Sequence, residues 1–164
     1  MTYSKRTLLT VLAAAGLALA TATTATAAPV GAAVRSVTTP DGHTFRLRMV
    51  AAGLDLPAGG GTVHVSGSGY NADQGIVIAL CAIPAGVTVG TPSTYTQAPT
   101  PCLGGSGSTT ESDDGAFAAD LVVKPRIASG VVCGDTVRCA IVTKADSTAP
   151  GNRLYDQYIK VNFG

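Results

Sequence analysis

Apolar and polar residues alternate along much of this chain with the period of two that marks a strand burying one face. Phe45, Leu47 and Met49 point one way while Arg46 and Arg48 point the other, and Val63 and Val65 are set against Thr62, His64 and Ser66. Phe117, Ala119, Leu121 and Val123 repeat the pattern against Ala118, Asp120 and Lys124. Residues 75–80 are apolar on both parities, which predicts a central strand covered on both faces or a buried helical segment of equal length. Residues 137–142, and then Tyr155, Ile159, Val161 and Phe163, supply the last two strands.

Glycine, proline and Asx clusters punctuate these runs at 57–61, 71–73, 104–107, 113–115 and 150–152. With about seven strands and no capped amphipathic helix after the first 27 residues, the pattern predicts an all-β antiparallel sandwich. A small closed barrel is the alternative architecture. Three stretches lack periodicity. Residues 28–43 read as a flexible N-terminal extension and 84–101 as a Pro/Thr/Ser-rich excursion. Residues 104–114 read as a mobile surface connection, which leaves 44–164 as one sandwich domain.

The first 27 residues change the picture of where the chain works. Lys5 and Arg6 precede an apolar run from Leu8 to Ala20, and Ala25-Thr26-Ala27 offers small residues at both selective positions of a cleavage site. This is the pattern of a secretory signal peptide, with cleavage expected before Ala28 and an exported, extracellular or envelope-associated product. The run is shorter than the roughly 20 residues a membrane span needs, so no membrane partner is expected. Without Lys5 and Arg6 the chain keeps nine basic residues against ten acidic ones, dispersed along its length. That balance gives no phosphate-binding footprint for nucleic acid. The expected product is a monomer with no cofactor.

Four cysteines, Cys81, Cys102, Cys133 and Cys139, all follow the leader. In an oxidising compartment an even count reads as two disulfides. A zinc site would show a Cys-x-x-Cys knuckle or a nearby histidine, and His43 and His64 lie far upstream. Of three possible connectivities, sequential pairing needs the least chain rearrangement; Cys133 and Cys139 would then clamp the turn between two apolar runs.

Candidate catalytic chemistry is sparse. No nucleophile elbow or paired-histidine metal motif occurs, and His64 sits on the polar parity of its strand while His43 follows a turn. Glu111, Asp113 and Asp114 form an acidic turn without the alternate-ligand spacing of a calcium loop. The expectation is no enzyme, no catalytic residue and no metal site. Leu80-Cys-Ala-Ile-Pro differs: an apolar strand runs through a cysteine into Ile83 at the start of a long loop, near one end of the sandwich. Loop ends of sandwiches bind ligands. The competing reading folds Ile83 under the loop as a satellite core.

Five segments together resemble the neocarzinostatin and macromomycin family of actinobacterial apoproteins. They are Val65-Ser-Gly-Ser-Gly-Tyr70, Ile76 through Ala82, Asp114-Gly-Ala-Phe-Ala-Ala-Asp-Leu-Val-Val123, Cys133 to Cys139, and Ile159-Lys-Val-Asn-Phe163. The resemblance implies a seven-stranded immunoglobulin-like sandwich with two sequential disulfides. It also implies a secreted, non-enzymatic carrier of an enediyne chromophore, with the antibiotic, antibacterial and DNA-binding associations that such a ligand brings.

Carried onto this chain, the resemblance makes Cys81–Cys102 the cleft floor, Ile83 and Ile127 its wall, Ala140 its lining beside the second bridge, and Lys144 its rim. Isoleucine stands at both wall positions where the best-known member has aromatic rings, and the loop between Cys81 and Cys102 is longer than is usual in the family. The two isoleucines favour an alternative: an immunoglobulin-like envelope or extracellular interaction module that holds no chromophore.

Overall fold

The alternation seen in the sequence becomes two open sheets. A computed structural model describes residues 28–103, 108–109 and 114–164. In chain order its strands are β1 (Val30–Thr38), β2 (Thr44–Ala52), β3 (Asp55–Leu56), β4 (Gly61–Ser68), β5 (Ile76–Ala82), β6 (Ser108–Thr109), β7 (Phe117–Val123), β8 (Arg126–Ala128), β9 (Val131–Val132), β10 (Cys139–Ala145), β11 (Gln157–Lys160) and β12 (Asn162–Phe163). The order β1-β2-β4-β7 forms one four-stranded sheet and β11-β10-β5-β6 the other. Pairing within both is antiparallel; the short β12–β3 pair is parallel, as is the isolated bridge between Cys133 and Val137. The fold is therefore all-β and antiparallel in its two main sheets.

Inward residues of the two sheets meet in a common core. Met49, Ala51, Val63 and Val65 from the first pack with Ile78, Leu80, Ile141 and Ile159 from the second. Toward one end, Leu47, Tyr70, Ile76 and Tyr155 continue it. Phe117 closes this end by lying across Gly67, its partner on β4, and meeting Tyr70 edge-on at 5.2 Å. A Cβ at Gly67 would fall 2.2 Å from that ring, so only glycine lets the ring lie flat on the strand.

Residues 28–43 differ from the loose extension expected of them. Residues 30–38 are β1, an edge strand paired with β2 along its whole length. The alternation is present but disguised: the inward positions hold Gly31, Ala33 and Arg35, whereas Val30 and Val34 face solvent. Small inward residues are what the position requires, because a Cβ on Gly31 would lie 2.5 Å from Ile159 Cγ2. The edge of the first sheet is thus held against β11 of the second.

Both disulfides are sequential, Cys81–Cys102 and Cys133–Cys139. The second does not staple a hairpin. β9 pairs with β8, while β10 pairs with β5 and β11, so this bridge ties a turn at which the chain passes from a small ribbon into the second sheet. Inside the turn Thr136 Oγ1 accepts from Val132 N–H at 2.8 Å and Gly134 N–H donates to Val137 O.

Residues 1–27, with the expected leader, lie outside the described residues, as do Glu111 and Asp113. Of the connection at 104–114, residues 108–109 pair with β5 and Asp114 is exposed. No helix among the described residues is long and apolar enough to cross a membrane.

Cross-linking entropy sets the contribution of each bridge. For sequence separations of 21 and 6 residues it amounts to about 3 and 2 kcal/mol respectively. Replacing both members of the Cys81–Cys102 pair by alanine should therefore lower the urea-unfolding free energy by about 3 kcal/mol, and the Cys133–Cys139 pair by about 2 kcal/mol. Equal losses, or a larger loss from the shorter loop, would contradict this ordering.

Candidate functional site

The second sheet is apolar on both faces. Along β5 every residue but Val77 is buried, and along β10 every residue but Lys144. One face meets the first sheet. The other is covered by the loop that leaves β5 at Ile83 and returns at Cys102. Ile83, Val87 and Tyr95 from this loop pack on Ala79, Cys81, Ala140, Val142 and Tyr158. The sequence reading that placed Ile83 in a satellite core under the loop is what the structure has.

Local hydrogen bonds give the loop its shape. Thr94 Oγ1 accepts from Thr88 N–H at 2.9 Å, and Tyr95 Oη accepts from Gly90 N–H at 3.0 Å. The Tyr95 ring then meets Tyr158 edge-on with centroids 4.7 Å apart, an arrangement that contributes roughly 0.5–1.5 kcal/mol beyond area burial.

Charged groups lie at the margin of this covered face. Arg35 reaches from β1 across to the second sheet, where its Nη1 donates to Arg153 O at 2.9 Å and Asp156 O at 3.1 Å. Its guanidinium lies 5.6 Å from the Tyr95 ring centroid. Asp156 has no exposed surface and accepts from Arg153 Nη1 at 2.9 Å through Oδ2. Among the described residues its Oδ1, the Tyr158 hydroxyl and both polar atoms of the Gln157 amide have no hydrogen-bond partner. Burial pushes the Asp156 carboxyl up to about 7, against the opposing pull of Arg153, Arg35 and Lys144. The same desolvation raises the Tyr158 hydroxyl, with Asp156 adding to the effect. Burial likewise holds the Arg35 guanidinium below its ordinary value, opposed by Asp156.

The residues that the resemblance made into one cleft are divided by this architecture. Ile83 and Ala140 share the satellite core, while Ile127 lies in the core between the sheets beside Cys133 and Cys139. Lys144 is half-buried, its Nζ 3.9 Å from Cys102 Sγ. The Cys81–Cys102 bridge forms the base of the covering loop.

A different concavity opens where the second sheet ends. It holds about 230 Å3 and is half open. Its apolar wall is Ile83, Cys139, Val161 and Phe163, and Arg138 and Lys160 stand exposed on its rim. Strand termination puts these residues together. Ile83 follows β5, Arg138 precedes β10, and Lys160 ends β11. The bonds Ile83 N–H to Arg138 O and Val161 N–H to Cys139 O hold the three strand ends in register. Ile83 was visible in the sequence as an apolar loop-starter. Phe163 was visible only as a strand residue, and Arg138 was hidden by its place inside the cysteine turn.

The histidines stay apart from this site. His64 and Asp120, opposite each other on β4 and β7, form an exposed pair with Nδ1 2.5 Å from Oδ1. The sequence marked no partner for this imidazole, because the pairing is across strands. No hydrogen bond links the pair to Ser66 among the described residues, and neither member lines the cavity. His43 lies 3.7 Å from Asp41, also exposed. Among the described residues no group of three or more metal-ligating side chains converges.

No family model matches this chain, and no curated protein does.

Asp156 makes stability depend on pH with a definite sign. Its folded value lies above the 3.8 of the unfolded carboxyl, so the folded state binds the proton more tightly. Stability should be greatest below about pH 4 on this account, fall by up to about 4 kcal/mol as pH rises to about 7, and level off above that. Asp156→Asn should remove this slope in urea titrations across that range; an unchanged slope in the variant would assign it to other groups.

Proposed function

We propose that this chain is an exported, non-enzymatic carrier of a small apolar molecule, built on an immunoglobulin-like sandwich. The observation that carries the reading is the half-open cavity of about 230 Å3 between Ile83, Val161 and Phe163 at the end of the second sheet. An engineered apolar cavity of about 150 Å3 is enough to hold benzene, so this one has room for a one- or two-ring guest. Pockets for drug-sized ligands run from roughly 300 to 1,000 Å3. The guest is accordingly smaller than the chromophore that the resemblance would suggest. The antibiotic and DNA-linked roles of that family would require a reactive cargo of a size this cavity does not match.

Export is supported by the leader pattern and is in keeping with the two disulfides. The resemblance supports the immunoglobulin-like assignment of the two sheets. A carrier's task needs no reacting groups: apolar contact holds the guest, and roughly 25 cal/mol per Å2 buried sets the scale of its affinity before ordering costs.

A second reading has its own observation. The loop fills the outer face of the second sheet with Ile83, Val87 and Tyr95, where the resemblance would seat a ligand. A module that contacts other envelope macromolecules and carries no cargo would have that face sealed in this way.

Purification from a secreting host distinguishes the two. On the carrier reading, N-terminal sequencing gives Ala28 as the first residue, and native mass spectrometry shows a low-mass adduct. Ile83→Trp, which fills the cavity, should abolish the adduct while the melting transition stays cooperative. Phe163→Ala should weaken it without adding bulk. Protein that is empty from every preparation, and that takes up no one- or two-ring compound, would leave the interaction module standing.

A further inference from the structure

The apolar wall of the cavity says what the guest's body is; the rim says what its head is. Arg138 and Lys160 both line the opening, and neither forms an ion pair among the described residues. They come from adjacent strands, one just before β10 and the other at the end of β11, and both are exposed. Two unpaired cations at the mouth of an apolar recess repel a cationic guest. They give a neutral one nothing beyond wall contact. An anionic head group gains charge-assisted hydrogen bonds from both, and the planar guanidinium matches a carboxylate in a two-point fork.

The carboxylates that come close in the chain do not line the cavity. Asp55 Oδ1 accepts from Asn162 Nδ2 at 3.0 Å, so the carboxylate tied to this lining residue is turned to a neighbour on the parallel β3–β12 pair. Asp135, next to Gly134 in the cysteine turn, does not line the cavity. The Phe163 ring, half-buried at the wall, offers a surface on which a flat guest can stack.

We infer that the cavity selects small aromatic carboxylates, with the ring between Ile83 and Phe163 and the carboxylate on Arg138 and Lys160. This inference rests on the carrier reading and adds the ligand's chemical class to it. It gives the Cys133–Cys139 turn a role in binding, because that bridge fixes the backbone from which Arg138 projects.

The probes are 1-naphthoate and its neutral isostere 1-naphthamide, titrated into the exported protein at low ionic strength and followed by amide chemical-shift changes. Naphthoate should move the signals of Ile83, Arg138 and Phe163 and bind at least about tenfold more tightly than the amide, as a charged hydrogen bond allows. The Arg138→Gln/Lys160→Gln double variant, changed only at exposed positions, should stay folded with a dispersed spectrum and lose that advantage, so that the two probes bind it about equally. Equal binding of the two probes, unaltered in the double variant, would overturn the charge selection while leaving the carrier reading intact. Binding of neither probe, or shifts confined to another part of the molecule, would overturn both.

Discussion

A sheet with two apolar faces needs two partners, and a pair of sheets supplies only one. β5 and β10 bury side chains on both parities, so half of their apolar surface would face water if the second sheet met only the first. Exposing a single Leu, Ile or Val side chain costs about 1.5–3 kcal/mol, an appreciable share of a domain's net stability. The chain meets this requirement with its own loop. Ile83, Val87 and Tyr95 cover the outer face, and the Cys81–Cys102 bridge fixes both ends of the loop against the strand that it covers. The bridge therefore limits the freedom of a segment whose own hydrogen bonds are local.

The covered face also accounts for the charges found at its margin. Arg35, Arg153 and Asp156 lie where the edge of the first sheet comes against the second. Arg35 from β1 donates to two backbone carbonyls of the segment leading into β11 while its guanidinium lies beside Tyr95. One side chain thus links the N-terminal strand, the second sheet and the covering loop. Such burial is costly: a buried ion pair recovers its desolvation only where geometry and further hydrogen bonds are good, and among the described residues one oxygen of Asp156 has no partner. What the arrangement specifies is position. The ladder with β2 sets the register of β1, and directional bonds from Arg35 to the carbonyls of Arg153 and Asp156 fix how that edge sits against the second sheet.

Much of this was legible in the sequence, and the unread parts have physical causes. The alternation in β2, β4 and β7 reads directly, because most of their inward positions hold large apolar residues and most outward ones polar or small groups, Val50 and Val122 excepted. The two-sided burial of β5 followed from its unbroken apolar run. β1 escaped because close packing on Ile159 requires glycine and alanine inside, while two valines face out, which reverses the usual contrast. The ribbon of β8 and β9 was too short to show a period. The cysteines gave their pairing by proximity, but not the change of sheet between Cys133 and Cys139, since a tight turn within a sheet and one between sheets have the same composition. Of the residues expected in the cleft, Ile83 stands at a strand end, where it packs in the satellite core and also borders the cavity. Ile127 was not separable from the others, because sequence spacing does not tell which side of a sheet a neighbouring ribbon covers.

The cavity is best understood as a consequence of how the strands stop. β5, β10 and β11 end near the same level, and the chain leaves each in a different direction: Ile83 into the covering loop, Arg138 back into the cysteine turn, Val161 onward to the pair with β3. Side chains at such an end have neighbours beside them but no next layer above, so packing cannot be completed by the sheets. A longer side chain at Ile83 would fill the gap, as would a bulkier residue than Val161; neither is present. Instead the opening is bordered by two long cationic side chains whose stems can lie along apolar surface while their heads stay in water. The end of the sheet is thereby left both apolar and accessible.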